Sequence, residues 1–137
     1  MIVADTSGLL ALYNRREKQH ADVAKAVAAM RQPLVVSPYV VAELDYLAAT
    51  RLGVGAEVAI LRELAGGAYE LAALDSDDLD ACAALVERFG DQSIGVADAS
   101  LVVLADRYRT RTLLTLDRRH FGVLRPRAGG RFRLVPG

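Results

Sequence analysis

Brief apolar runs alternate along this chain with longer amphipathic stretches. Met1–Ala4, Leu34–Val36, Tyr69–Leu74, Thr112–Leu116 and Phe132–Val135 are short and rich in β-branched or aromatic residues, which predicts strands, the last at a sheet edge. Between them the pattern predicts helices over Gly8–Tyr13, His20–Met30, Pro38–Leu52, Val54–Leu64, Ser76–Phe89 and Gly95–Tyr108. The helix boundaries carry their own chemistry. Thr6 or Ser7 is placed to cap the first helix, Ser37 followed by Pro38 starts the third, and Asp75 or Ser76 caps the fifth. Gly53, Gly66-Gly67 and Gly90 follow helices as stops. Helices alternating with short buried strands imply a three-layer α/β/α domain with a central, mainly parallel sheet of four to five short strands. The 137 residues are read as one domain, 1–137.

Four carboxylates interrupt this pattern. Asp5 follows the first apolar run and Asp117 the fourth, at strand carboxyl ends, where parallel sheets form their sites. Glu43 shares a predicted helix face with Val40 and Leu47, and Asp98 shares one with Ile94, Leu101 and Val102. Asp45, about 200° round the helix from Glu43, is expected to be exposed. Charged groups are seldom buried without a partner, so four inward carboxylates suggest a shared counter-charge, most simply a divalent cation. Oxygen ligands from several segments suit Mg²⁺ or Mn²⁺ rather than zinc. Ser7 and Thr115, each two residues from one of these acids, are placed to orient a carboxylate or a water. His20 and His120 lack metal-ligand spacing and read as surface or substrate-side residues.

Charge sharpens the picture. The chain is neutral overall, yet from Arg107 onward it carries nine arginines against one acid. An acidic metal pocket flanked by such a segment suits a polyanionic substrate. The single cysteine, Cys82, excludes an internal disulfide and reads as a small core residue, and a cytoplasmic location is expected. No apolar run is long enough for a membrane span, and the first residues lack a signal-peptide pattern. Two other phosphate chemistries are tested by the residues they require. Haloacid-dehalogenase phosphatases need an Asp where Ser7 stands, and response-regulator receivers need a late lysine, whereas the only lysines are Lys18 and Lys25.

Asp5-Thr6-Ser7-Gly8-Leu9-Leu10-Ala11-Leu12, Ser37 six residues before Glu43, Gly95-Val96-Ala97-Asp98-Ala99-Ser100-Leu101 and Thr115-Leu116-Asp117-Arg118-Arg119-His120-Phe121 together resemble PIN-domain ribonucleases, most nearly the VapC-type toxins of toxin–antitoxin pairs. The resemblance implies a PIN-like fold and an endoribonuclease whose Asp5, Glu43, Asp98 and Asp117 hold Mg²⁺, with Mn²⁺ able to substitute. It implies Asp91 as an auxiliary acid, and Arg118 and Arg119 are candidates for RNA phosphate contacts. The implied partners are RNA, a small antitoxin and a second copy of the chain, in a homodimer or a larger assembly with antitoxin. Two alternatives stand beside the toxin: an RNA-processing PIN nuclease with no toxin role, and a metal-stabilised binding protein without catalysis.

Overall fold

The structure is a computed structural model describing residues 1–137. Five strands, β1 (Ile2–Ala4), β2 (Leu34–Val36), β3 (Glu70–Leu71), β4 (Thr112–Leu114) and β5 (Arg133–Val135), form one sheet in the order β3-β2-β1-β4-β5. Every pairing is parallel, with Val3 beside Val35 on one side and Leu113 on the other. Seven helices connect and flank them: α1 (Thr6–Tyr13), α2 (His20–Ala28), α3 (Pro38–Leu52), α4 (Val54–Ala65), α5 (Ser76–Arg88), α6 (Val96–Arg107) and α7 (Arg118–Val123). None is long and apolar enough to cross a membrane.

The strand order locates the site. From β1 the chain steps outward to β2 and β3, then crosses back to place β4 and β5 on the other side of β1. With right-handed crossovers the two sets of helices fall on opposite faces, completing the three layers. The reversal opens a crevice between β1 and β4 at their carboxyl ends, where Asp5 and Asp117 emerge.

Two expected strands are shorter than their apolar runs. The run Tyr69–Leu74 pairs only at Glu70 and Leu71, because this edge strand has a single neighbour and leaves it after the Ala72 amide bonds Val36. The chain then turns into α5, where Asp75 and Asp78 form a reciprocal capping box. β4 ends at Leu114, beyond which Thr115 turns its hydroxyl to the site. At the start of α1, Asp5 itself occupies the N-cap position, and neither Thr6 nor Ser7 caps the helix.

The core is built from the β-branched interiors of β1 and β2, Leu113 and Leu114 of β4, and the apolar flank of α6. Cys82 is buried, as expected of a small core residue. Gly8 lets α1 lie directly on β4. A Cβ there would stand 2.6 Å from the Leu114 carbonyl oxygen and 2.8 Å from its Cγ, and the backbone cannot move aside cheaply. Gly8→Ala is therefore expected to destabilise the fold by about 1–3 kcal/mol, read as a lowered melting temperature. An unchanged melting temperature would show that this contact is not tight.

Candidate active site

Asp5 is anchored on both sides. Its backbone amide donates to the Leu114 carbonyl at 2.9 Å, and its side chain is only 5% exposed. The hydroxyls of Thr115 and Ser7 both donate to Asp5 Oδ2, at 2.7 and 2.8 Å. Each hydroxyl also accepts a backbone amide: Thr115 from Asp117 and Ser7 from Leu116, both at 2.9 Å. Because each hydroxyl has one proton, committed to Asp5, the 3.2 Å Ser7–Thr115 approach is a contact rather than a further bond. The loop after β4 is thus tied to the acid at the end of β1, as the spacing of Ser7 and Thr115 suggested.

A cleft of about 650 Å³ opens over Asp5 and is lined by all four carboxylates, Asp5, Glu43, Asp98 and Asp117. Asp98 reaches it from the first turn of α6, half-buried. Glu43 faces it from α3, but is exposed, contrary to the burial expected from its stripe. The buried stripe of α3 is Val40, Leu44 and Ala48, which leaves Glu43 on the cleft-facing edge. Asp45, expected to be exposed, is half-buried, with Oδ1 shut from solvent and unpaired.

The starts of α3 and α6 are locked together behind the cleft. Ser37, the N-cap of α3, accepts from the Tyr39 amide, and its hydroxyl meets that of Ser100 at 2.7 Å. Ser100 donates to the Ala97 carbonyl, so Ser37 is the donor to Ser100. This buried pair fixes the helices that carry Glu43 and Asp98.

His120 was under-read. Its backbone amide donates to Asp117 Oδ1 at 2.9 Å, making Asp117 the N-cap of α7. Its Nδ1 stands 3.1 Å from Asp98 Oδ2 and 3.0 Å from Asp117 Oδ2. These are ion-pair distances, although neither approach is aligned as a hydrogen bond. Arg51 and Thr6 also line the cleft and were missed. Arg51 follows Glu43 and Leu47 at intervals of four, a detectable helical signal. Thr6 gives no periodic signal, yet its buried hydroxyl has no protein partner.

Other candidates lie elsewhere. Asp91 is exposed in a 3₁₀ turn (Gly90–Gln92) and does not line the cleft. Arg118 and Arg119 are exposed at the start of α7, outside the lining, with Arg118 donating to the Pro136 carbonyl. His20 serves the scaffold, with its Nδ1 2.8 Å from the Ala11 carbonyl.

The concentration of negative charge has an electrostatic cost. Burial raises the Asp5 carboxyl above its ordinary range against the Thr115 and Ser7 hydrogen bonds, and the Asp117 charge adds to the rise. Burial, then the charge of Asp5, pushes Asp98 up to about 6, with His120 opposing and Asp117 and Glu43 adding. Asp98 thus binds its proton more tightly in the folded chain than in the unfolded one. In metal-free protein this linkage lowers stability as pH rises from about 4 to 6. Asp98→Asn removes that loss and is expected to stabilise metal-free protein at pH 7 by about 1–2 kcal/mol, after allowance for the carboxylate's partial exposure. Thermal melts in chelator should show the advantage growing between about pH 4 and 6 and levelling above. An advantage that is absent or does not change with pH would contradict the raised carboxyl.

Four carboxylates with a single imidazole among them form an oxygen-rich donor set suited to a hard divalent cation. No three His, Cys, Asp or Glu side chains converge on one point as a closed metal shell. The fit is therefore to an ion that keeps several waters, as Mg²⁺ does.

This fold and cleft define a PIN domain. The PIN-domain family model matches residues 2–124, and the chain belongs to that family. More narrowly it is of the VapC type. It is 58% identical over 135 residues to Ribonuclease VapC26 of Mycobacterium tuberculosis (strain ATCC 25618 / H37Rv), covering 98% of this chain and all of that protein. Among solved structures it is similar to Mycobacterium tuberculosis VapC20, described as a Sarcin-Ricin loop cleaving toxin, with TM-score 0.80 and 20% identity over 85% of this chain and 90% of that one. It is also similar to VapBC2 of Rickettsia felis, bound to a DNA fragment from its promoter, with TM-score 0.67 and 17% identity over 98% and 97% of the two chains.

Proposed function

We propose that this chain is a Mg²⁺-dependent endoribonuclease that acts as the toxin of a toxin–antitoxin pair and is silenced by its antitoxin. The observation that carries the reading is the four-carboxylate cleft at the β1–β4 crevice, in a chain so close to a named VapC ribonuclease. Asp5, Asp98, Asp117 and Glu43 are the residues that would hold the ion, with Mn²⁺ able to substitute. When bound, the ion lowers the pKa of a water and offsets charge on the phosphoryl oxygens during phosphodiester hydrolysis. Ser7 and Thr115 orient Asp5, and the Ser37–Ser100 pair holds α3 and α6 at a fixed spacing. Arg51, on the α3 wall, is placed to contact a substrate phosphate, and Thr6 has a free hydroxyl for a substrate oxygen. His120 offsets the charge of Asp98 and Asp117.

Protein partners have an apolar surface on the α3–α4 hairpin, where Tyr46, Val54, Val58 and Leu61 are exposed while Ile60 and Leu64 enter the core. That surface suits an antitoxin or a second copy of the chain. Expression in a bacterial host tests the toxin role. Growth is expected to arrest and to recover when the small protein encoded beside this gene is co-expressed. Unimpaired growth with RNA cleavage intact in vitro would instead favour an RNA-processing nuclease.

A further inference from the structure

Most of the arginine-rich last quarter does not flank the carboxylates. Arg109 and Arg111 lie between the end of α6 and the start of β4, at the opposite end of the sheet from Asp98 and Asp117. Asp98 to Arg109 is about 16 Å along the helix, and Arg111 to Asp117 roughly 20 Å along the extended chain. Arg133 stands beside Thr112 in β5, and its amide donates to the Arg111 carbonyl, which brings Arg131 and Arg133 to the same corner. Arg127 arrives from the loop before β5. Arg109, Arg111 and Arg127 line a concavity of about 200 Å³ with Thr110 and Asp106.

All five arginines are exposed, and none has an acidic partner. The only arginine–carboxylate pair in the chain joins Arg107 to Asp78, and Asp106 pairs with no guanidinium although it lines the concavity. Arg111 is held in place, donating from Nε to the Gly129 carbonyl at 2.9 Å and from Nη2 to that of Ala128 at 3.2 Å. Arg109 occupies a position that folding alone would give to glycine. The Thr110 amide bonds the Ala105 carbonyl and the Arg109 amide that of Asp106, a Schellman close to α6 with Arg109 left-handed at φ 54°. A side chain there costs stability, so its charge is retained against the preference of the backbone.

We propose that this corner is a second RNA contact, in which Arg109, Arg111 and Arg127 clasp a backbone phosphate of the substrate away from the scissile bond, flanked by Arg131 and Arg133. Guanidinium forks match phosphate oxygens, and the pocket is of phosphate size. The assignment rests on the ribonuclease reading for the identity of the polyanion. It makes the enzyme selective for RNA long or folded enough to span from cleft to corner.

The test uses the full chain carrying Asp5→Asn, so that RNA is bound but not cut, with and without the added pair Arg109→Gly and Arg127→Gln. The probes are a hairpin RNA of about 30 nucleotides and an oligomer of about four, whose stacked length of roughly 14 Å cannot reach the corner. The added pair is expected to weaken hairpin binding about tenfold and to lower the salt dependence of log affinity by about 1.4 for two lost phosphate contacts. Oligomer binding should stay unchanged, and Arg109→Gly should leave the melting temperature equal or higher. Unchanged hairpin affinity and salt slope overturn the proposal, as does equal weakening for the oligomer. Loss of antitoxin binding with RNA affinity intact overturns it in favour of an acidic protein partner. If the chain with Asp5 intact cuts no RNA while arginine-dependent hairpin binding persists, the ribonuclease reading fails and this site stands. If neither RNA binds the parent protein, both fail.

Discussion

Asp5→Asn is expected to abolish RNA cleavage without harming the fold. Asn keeps the shape of the side chain and an oxygen able to accept from Ser7 and Thr115, but removes the charge at the centre of the cleft. If that charge supports the bound ion and the transition state by about 4 kcal/mol, the rate falls on the order of 10³-fold. Stability should move the other way. Burial disfavours the ionised Asp5, so metal-free Asp5→Asn protein is expected to melt at or above the wild-type temperature near pH 7. Cleavage rates and melting curves from the same preparation check both parts. Activity within about tenfold of wild type would remove Asp5 from the catalytic centre.

Thr115→Val is expected to be costly in both stability and activity. The substitution keeps the volume but deletes a hydroxyl that is 2% exposed and serves two partners, Asp5 Oδ2 and the Asp117 amide. Leaving buried polar groups unpaired costs about 1–3 kcal/mol. The amide it releases belongs to Asp117, so two carboxylates lose their register at once. A displacement near 1 Å at a reacting centre is worth about 10²-fold in rate, which is the expected loss. Thr115→Ser retains the hydroxyl and should restore most of the activity. If Val and Ser behaved alike, the hydroxyl network would not be what positions Asp5.

Much of this site was legible because its acids occupy structurally distinctive places. A carboxylate directly after a short buried strand can be located from the apolar run alone, which is how Asp5 and Asp117 were found. Glu43 was found with the wrong stripe: Val40, Leu44 and Ala48 form the buried face, so the acid lies at its edge, exposed to the cleft. His120 was illegible because its role depends on α7 folding back from Asp117 toward Asp98, a tertiary arrangement without a spacing rule. The arginines were legible as charge but not as position. Their location at the far end of the sheet follows from the direction of β4, which composition does not encode. Edge strand β3 was over-read because an apolar run continues past the point where it has a neighbour to pair with.

The central claim is that the four carboxylates make a metal-dependent ribonuclease. The most direct measurement is cleavage of a defined RNA by purified wild-type protein with Mg²⁺, with excess chelator, and with chelator followed by restored Mg²⁺ or Mn²⁺. Cleavage is predicted with the ion, loss in chelator and recovery on restoration, with Asp5→Asn protein inactive throughout. Cleavage that survives chelation, or that Asp5→Asn protein performs equally well, would contradict the account.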